Sequence, residues 1–265
     1  MSVIVKDCVV LVTGSSSGLG KEIAYEYAKR GAIVALHGRD EQKLKEVKRS
    51  IEKINGIVDY FISDLSNDGE SEKLLLAIKN KFRKHISILV NSAGIAILGN
   101  VVDIPIEQYK YIINLNLVVP ITLSKLVLPE MIEKGGVILN ITSGVGVIGM
   151  PTLSAYSLSK AAFSAFSESL YFETRKSKVD VVLVSPGLME TNFAGNITLF
   201  GEVGDNFSDG KFVHPSYMAK KIIQQVHVNK NFINYSRSRI VGVLKYCAPY
   251  VLRKIIEYKS KKLSK

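Results

Sequence analysis

The chain has 265 residues, 47% hydrophobic and 22% charged, a balance that fills one core and excludes a disordered or fibrous protein. The formal charge of +11 points to an anionic partner, yet nine basic residues and one acid (Glu257) fall between Arg237 and Lys265. That is a local +8, and residues 1–236 carry only +3. Two distant cysteines, Cys8 and Cys247, exclude a disulfide framework and a cysteine zinc site and fit a reducing, cytoplasmic setting.

Taken in chain order, Lys6 and Asp7 interrupt the first apolar stretch, so no signal peptide is expected. A strand is predicted over Val9–Val12, and Thr13-Gly14-Ser15-Ser16-Ser17-Gly18-Leu19-Gly20 then leads into a helical run over Lys21–Arg30. Strand, glycine-rich turn and helix in that order present backbone N–H groups and a helix N-terminus to a pyrophosphate. The spacing is G-x-x-x-G-x-G rather than the commoner G-x-G-x-x-G, so a tight turn without a ligand stays open on spacing alone.

The second strand, Ile33–His37, ends on Gly38-Arg39-Asp40, where an NAD-binding fold usually places an acid for the ribose 2′-hydroxyl. Gly38 leaves room for a 2′-phosphate and Arg39 can bind it with paired hydrogen bonds, which favours NADP. The other reading leaves Arg39 solvated and gives the acid's task to Asp40. Asp40 is better explained as the cap of the helix over Glu41–Ile54.

Further strands are predicted at Ile57–Ile62, Ile86–Asn91, Gly136–Thr142 and Val179–Val184, each a short apolar run followed by a helical pattern. The fold class is α/β: a single-domain, Rossmann-like, doubly wound parallel sheet with helices on both faces. Tyr156 and Lys160 share one face of a helix over Ser154–Arg175, and a nearby ammonium favours the phenolate and makes Tyr156 an acid/base group. Alone the pair is weak, since Tyr217 and Lys221 repeat the spacing later in the chain.

The Thr13–Gly20 turn, Asn91-Ser92-Ala93-Gly94 after the fourth strand, and Ser143 lying 13 residues before Tyr156-x-x-x-Lys160 together resemble the short-chain dehydrogenase/reductase family. The resemblance covers Val5 to Val228 and implies a nicotinamide cofactor and a catalytic tetrad of Asn116, Ser143, Tyr156 and Lys160. Asn116 fits the family's Asn-Leu pattern better than Asn114. Tyr156 then supplies a proton to a carbonyl oxygen that Ser143 holds, and Lys160 tunes Tyr156 and binds ribose. By the same resemblance Asn116 positions a relay water, and Gly14, Ser16, Ser17, Gly18, Leu19 and Gly20 hold the pyrophosphate. Asp64-Leu65 lie beside the adenine, Asn91, Ala93 and Gly94 beside the adenosine ribose, and Pro186, Gly187 and Thr191 beside the carboxamide. Turn and helix-cap roles remain the plain alternative for Asp64 and Pro186-Gly187.

The aperiodic stretch Gly187–His214 is a lid candidate, rich in Leu188, Met189, Phe193, Ile197, Leu199, Phe200, Val203, Phe207, Phe212 and Val213. It favours a hydrophobic ketone, unless those residues simply pack the lid down. Reduction of a 3-oxoacyl group on an acidic carrier is the close alternative, although the glycine-rich ending of such relatives is missing. An NADP-binding sensor or scaffold without turnover is the alternative of another class, and nucleic-acid binding lacks a stacking row or motif.

A catalytic domain is thus expected over residues 1–236, with an amphipathic extension over 237–265 kinked at Pro249. The extension can meet an anionic membrane surface, a second subunit or its own domain. Its apolar run Ile240–Leu252 is broken by Lys245 and Pro249 and falls short of the roughly 20 apolar residues a span requires, so no bilayer-crossing segment is expected. The resemblance implies a homodimer or homotetramer built on the helices around Pro105–Met131 and Ser154–Arg175.

Overall fold

Short β-branched runs become strands here because the inner ones can bury both faces, whereas β3 (Ile57–Ile62) at the sheet edge stays partly exposed. In a computed structural model, which describes residues 5–187, 189–190, 197–201, 212–228, 230–235 and 238–263, alternate residues of every central strand feed opposite cores. Val10, Val12, Val34, Leu36, Val90, Leu139 and Val182 join one apolar cluster, whereas Val9, Leu11, Ile33, Ala35, Leu89, Ile138 and Val181 join the other.

The sheet is wholly parallel. Its strands are β1 (Val9–Thr13), β2 (Ile33–Gly38), β3 (Ile57–Ile62), β4 (Ile86–Asn91), β6 (Gly136–Ile141), β7 (Val179–Ser185) and β9 (Phe232–Asn234), in the spatial order β3-β2-β1-β4-β6-β7-β9. Helices α1 (Gly18–Ala28), α2 (Glu41–Glu52) and α7 (Pro215–His227) cover the first core. Helices α3 (Glu70–Phe82), α5 (Val119–Lys134) and α6 (Ser154–Thr174) cover the second. The strand order reverses between β1 and β4, so the crevice of the switch point opens at their carboxyl ends.

Two departures from the sequence reading matter for the site. Not every strand leads into a helix: β4 is followed by β5 (Ala96–Gly99), which pairs in parallel with β8 (Ile197–Phe200) inside the stretch predicted to be aperiodic. The seventh strand of the main sheet, β9, has three residues and β8 has four, too few for a period to show.

Helix α4 (Ile106–Ile113) runs through a π-helical turn, Asn114–Val118, into α5. This stretch, Ile106–Lys134, is long and apolar enough to cross a membrane, its most apolar 18-residue window having a mean hydropathy of 1.7. Packing accounts for part of that apolarity, since Ile112, Leu115, Val119, Leu123, Val127 and Met131 are buried in the domain's cores, whereas Val118, Leu126 and Ile132 are exposed. After β9 the chain forms α8 (Ser238–Cys247) and α9 (Pro249–Leu263), separated at Ala248 and Pro249, where the sequence placed the kink.

Candidate active site

Thr13 and Ser15 build the first wall from the end of β1. The Thr13 hydroxyl donates to the Val90 carbonyl at 3.2 Å and accepts from the N–H groups of Ser92 (3.1 Å) and Ala93 (3.2 Å), tying β1 to the segment after β4. Ser15 is fully buried and joins the turn to β2: its N–H donates to the His37 carbonyl, and its hydroxyl accepts from the His37 N–H at 2.9 Å. Neither residue stands out in the sequence, since a serine or threonine in a turn is unremarkable.

Between these ties the turn must pass very close to its neighbours. Gly14 has φ +67°, and a Cβ there would lie 2.7 Å from the Ala93 Cα. A Cβ on Gly20 would collide with the Gly14 carbonyl oxygen. The start of α1 therefore meets the cavity as bare backbone. Ser17 makes no side-chain cap bond there and the first turn holds no acid, so the positive end of the helix is left for an outside anion. This is what a dinucleotide pyrophosphate requires, and the residues fit that group.

The cavity has a volume of about 590 Å³ and runs from this turn past the ends of β2 and β3 to the apolar lid region. At the end next to β2 and β3, Gly38 and Arg39 form the rim. The Arg39 guanidinium lies 3.6 Å from Asp64 and donates to the Tyr111 hydroxyl at 3.2 Å. Asp64 is itself held by Ser66, whose N–H and hydroxyl both donate to its carboxylate, and these bonds with Arg39 beside it bring its pKa below the ordinary value despite burial. Asp40 accepts from the Lys43 N–H at 3.1 Å, caps α2 and does not line the cavity. His37 lines the wall beneath, its Nε2 3.2 Å from the Ser63 carbonyl, and burial pushes its pKa down to about 4, so the ring is neutral.

Ser143 lies two residues after β6 and caps a short 3₁₀ turn, Gly144–Val147, accepting from the Val145 N–H at 3.3 Å. Its hydroxyl also hydrogen-bonds the Tyr156 phenol. Tyr156 packs against the small cluster of Ile97, Ile104, Ile112 and Ala155. Lys160, one turn further along α6, is buried and donates to the Ile141 carbonyl at 3.2 Å. Burial raises the Tyr156 pKa, opposed by the Ser143 bond, and lowers that of Lys160 to about 8. This corrects the expected direction for Tyr156. With the ammonium turned to a carbonyl, desolvation dominates and the phenol keeps its proton at neutral pH.

Asn116 lies one layer behind the cavity wall and is almost wholly buried. It brackets Ile95, accepting from the Ile95 N–H at 3.0 Å and donating to its carbonyl at 2.9 Å, with a third bond to Ser159. The π-helical turn places both Leu115 and Asn116 inward. Asn114 instead donates to the Ser66 carbonyl.

Of the residues expected to hold a cofactor, Ser16, Ser17, Gly18, Leu19, Leu65, Ala93, Gly94, Pro186 and Gly187 line the cavity. Asn91 does not. Its side chain turns inward and donates to Asn140 (2.9 Å) and Ser124 (3.2 Å), so it joins β4 to β6 and α5 rather than facing the ribose side. Thr191, Leu188, Phe193, Val203 and Phe207 lie outside the described residues. Wall residues that the sequence reading did not single out for the site include His37, Ser63, Ser92, Val145, Leu153 and Glu190. Met189, Ile197 and Phe212 do line the apolar end, as the lid reading expected.

A family profile described as short chain dehydrogenase matches residues 8–200. The chain is 31% identical over 233 residues to dehydrogenase/reductase SDR family member 7B of Xenopus laevis, covering 82% of this chain and 70% of that protein. Among solved structures, a short-chain dehydrogenase/reductase from Burkholderia phymatum in complex with NAD aligns with a TM-score of 0.82 at 19% identity, over 95% of this chain and 96% of that one. A short-chain dehydrogenase from Sphingobium yanoikuyae in complex with NADPH aligns with a TM-score of 0.75 at 26% identity, over 86% and 87%. A profile spanning most of the chain, a relative of this identity and a shared parallel sheet agree: the chain belongs to the short-chain dehydrogenase/reductase family and is an oxidoreductase.

Proposed function

We propose that the protein is an NADP(H)-dependent reductase that converts a hydrophobic ketone or aldehyde to an alcohol, with Asn116, Ser143, Tyr156 and Lys160 as its tetrad. The observation that carries this reading is one continuous cavity. The open N-terminus of α1 stands at one end, the hydrogen-bonded Ser143–Tyr156 pair opens in its middle, and apolar Leu98, Leu153, Met189, Ile197 and Phe212 line the rest.

A bound nicotinamide supplies the two-electron exchange at the carbonyl carbon. Tyr156, kept protonated by burial, gives its phenol proton to the carbonyl oxygen, and Ser143 holds that oxygen as charge develops. Lys160, with a pKa of about 8, is mostly cationic at neutral pH and stabilises the phenolate left behind. Asn116 fixes the Ile95 backbone at the inner wall. Arg39 beside side-chain-free Gly38 favours a 2′-phosphate, and it is this pair that supports NADP, since the solved relatives hold NAD in one case and NADPH in another. Exposed Val118, Leu126 and Ile132 on the α5 side, with Phe172 on α6, suit a homodimer on those helices.

The test is loss of NADPH absorbance across a panel of apolar and polar ketones. Turnover rising with substrate apolarity is expected. Tight NADPH binding with no turnover of any carbonyl compound would make the protein a binder rather than an enzyme.

A further inference from the structure

The C-terminal helices return to the rim of the catalytic cavity. Lys245 of α8 donates to the Val147 carbonyl at 2.9 Å, and a methyl added at Gly242 would lie 3.8 Å from the Val147 side chain. Val147 ends the 3₁₀ turn that Ser143 caps, and Val145 of the same turn lines the cavity. Leu252 of α9 is buried. The pair leaves apolar and aromatic side chains exposed: Ile240 is 64% exposed, Val243 62%, Tyr246 82% and Tyr250 72%, with Lys245 over the Tyr246 ring and Lys254 over that of Tyr250. Exposed Arg253 lies among them with Lys254, which pairs with Glu257 at 3.1 Å, and the α9 sequence adds Lys259, Lys261 and Lys262 against that single acid.

We propose that this face docks on an anionic lipid surface and holds the cavity rim at the bilayer, so that a lipid-dissolved carbonyl compound enters without crossing water. The nature of the entering molecule rests on the reading above, whereas the docking stands on α8 and α9 themselves. Apolar and tyrosine side chains set among lysines match the headgroup boundary, where rings and stems sink and ammonium groups meet phosphates. A second copy of the chain is a poor occupant, because it would bring the same +8 against itself.

The full chain is sedimented with vesicles of phosphatidylcholine alone and of phosphatidylcholine with phosphatidylglycerol. Binding to the anionic vesicles only, weakening with salt, is expected. Val243→Ser with Tyr246→Ser, and separately Arg253→Glu with Lys254→Glu, should each lower the bound fraction about tenfold. Unchanged circular dichroism and unchanged turnover of a small soluble ketone would show that both variants fold. Equal binding by wild type and both variants, or no binding by wild type, overturns the proposal. A wild-type dimer that Val243→Ser with Tyr246→Ser abolishes, with no vesicle binding, overturns it in favour of a second copy. Vesicle binding as expected without reduction of any ketone would break the ketone reading and leave the docking intact.

Discussion

The two ends of the cavity are built from different material. The turn end is mostly backbone: glycines, strand termini and the first N–H groups of α1, fixed by neighbours in β2 and in the segment after β4. The reacting end is side chains, brought by β6, α6, the π-helical turn and the β5–β8 pair from segments far apart in the chain. A backbone site tolerates no added atom but has little chemistry of its own. A side-chain site has chemistry, and it carries the desolvation cost of holding a phenol and an ammonium out of water.

The largest separation of the two ends is expected from Tyr156→Phe. It should lower kcat about 10³-fold while NADPH binding, read by fluorescence titration, stays within a factor of about two. Parallel loss of binding would show that the ends are not separable.

Lys160→Met tests the cost of the reacting end. Its folded pKa of about 8 lies below the ordinary 10.5, so its contribution to stability is full only above pH 10.5 and is lost as pH falls through 8. The native protein therefore carries a penalty of up to about 3 kcal/mol at neutral pH. The methionine variant should be inactive yet unfold at a higher denaturant midpoint; a lower midpoint would mean that the bond to the Ile141 carbonyl outweighs desolvation.

His37 gives the turn end its own titration. Its folded pKa of about 4 lies below 6.5, so stability is full above pH 6.5 and falls by up to about 3 kcal/mol as pH drops through 4. His37→Leu should flatten that fall in denaturant midpoints measured from pH 7 to pH 4, and an unchanged slope would assign it to the carboxylates.

Gly20→Ala should raise the Kd for NADPH about 10- to 100-fold, as expected of about 1–3 kcal/mol of overpacking against the Gly14 carbonyl, while the Ser143–Tyr156 pair is left in place. The rim gives an effect of similar size at Arg39 and the smallest of all at Tyr111. Arg39→Ala should weaken NADPH binding by about 1–3 kcal/mol and leave NADH nearly unchanged, and Tyr111→Phe should do the same by about threefold, because the phenol helps orient a half-exposed guanidinium that also lies beside Asp64. Equal losses for both cofactors would remove the 2′-phosphate from the account.

The strands of the central sheet, apart from β9, and the turn were legible because period and glycine spacing are local properties. Asp40 read correctly as the α2 cap for the same reason. Asn91 did not read correctly, because whether an amide at a strand end faces a ligand or a neighbouring strand depends on Asn140 and Ser124, tens of residues away. Thr13 and Ser15 were passed over because their bonds are made to β4 and β2. The short strands β8 and β9 exist only through their partners.

By itself, then, the sequence determined the α/β layering, the phosphate turn and the residue types of the reaction centre, all of which follow from short-range pattern. Only the tertiary structure decided that the Tyr156 phenol is held protonated beside Ser143, that Lys160 is desolvated, that Arg39 is steadied by Tyr111, and that the basic extension sits at the cavity rim. Burial and contact between distant segments set those properties, and neither is encoded in the spacing of neighbours.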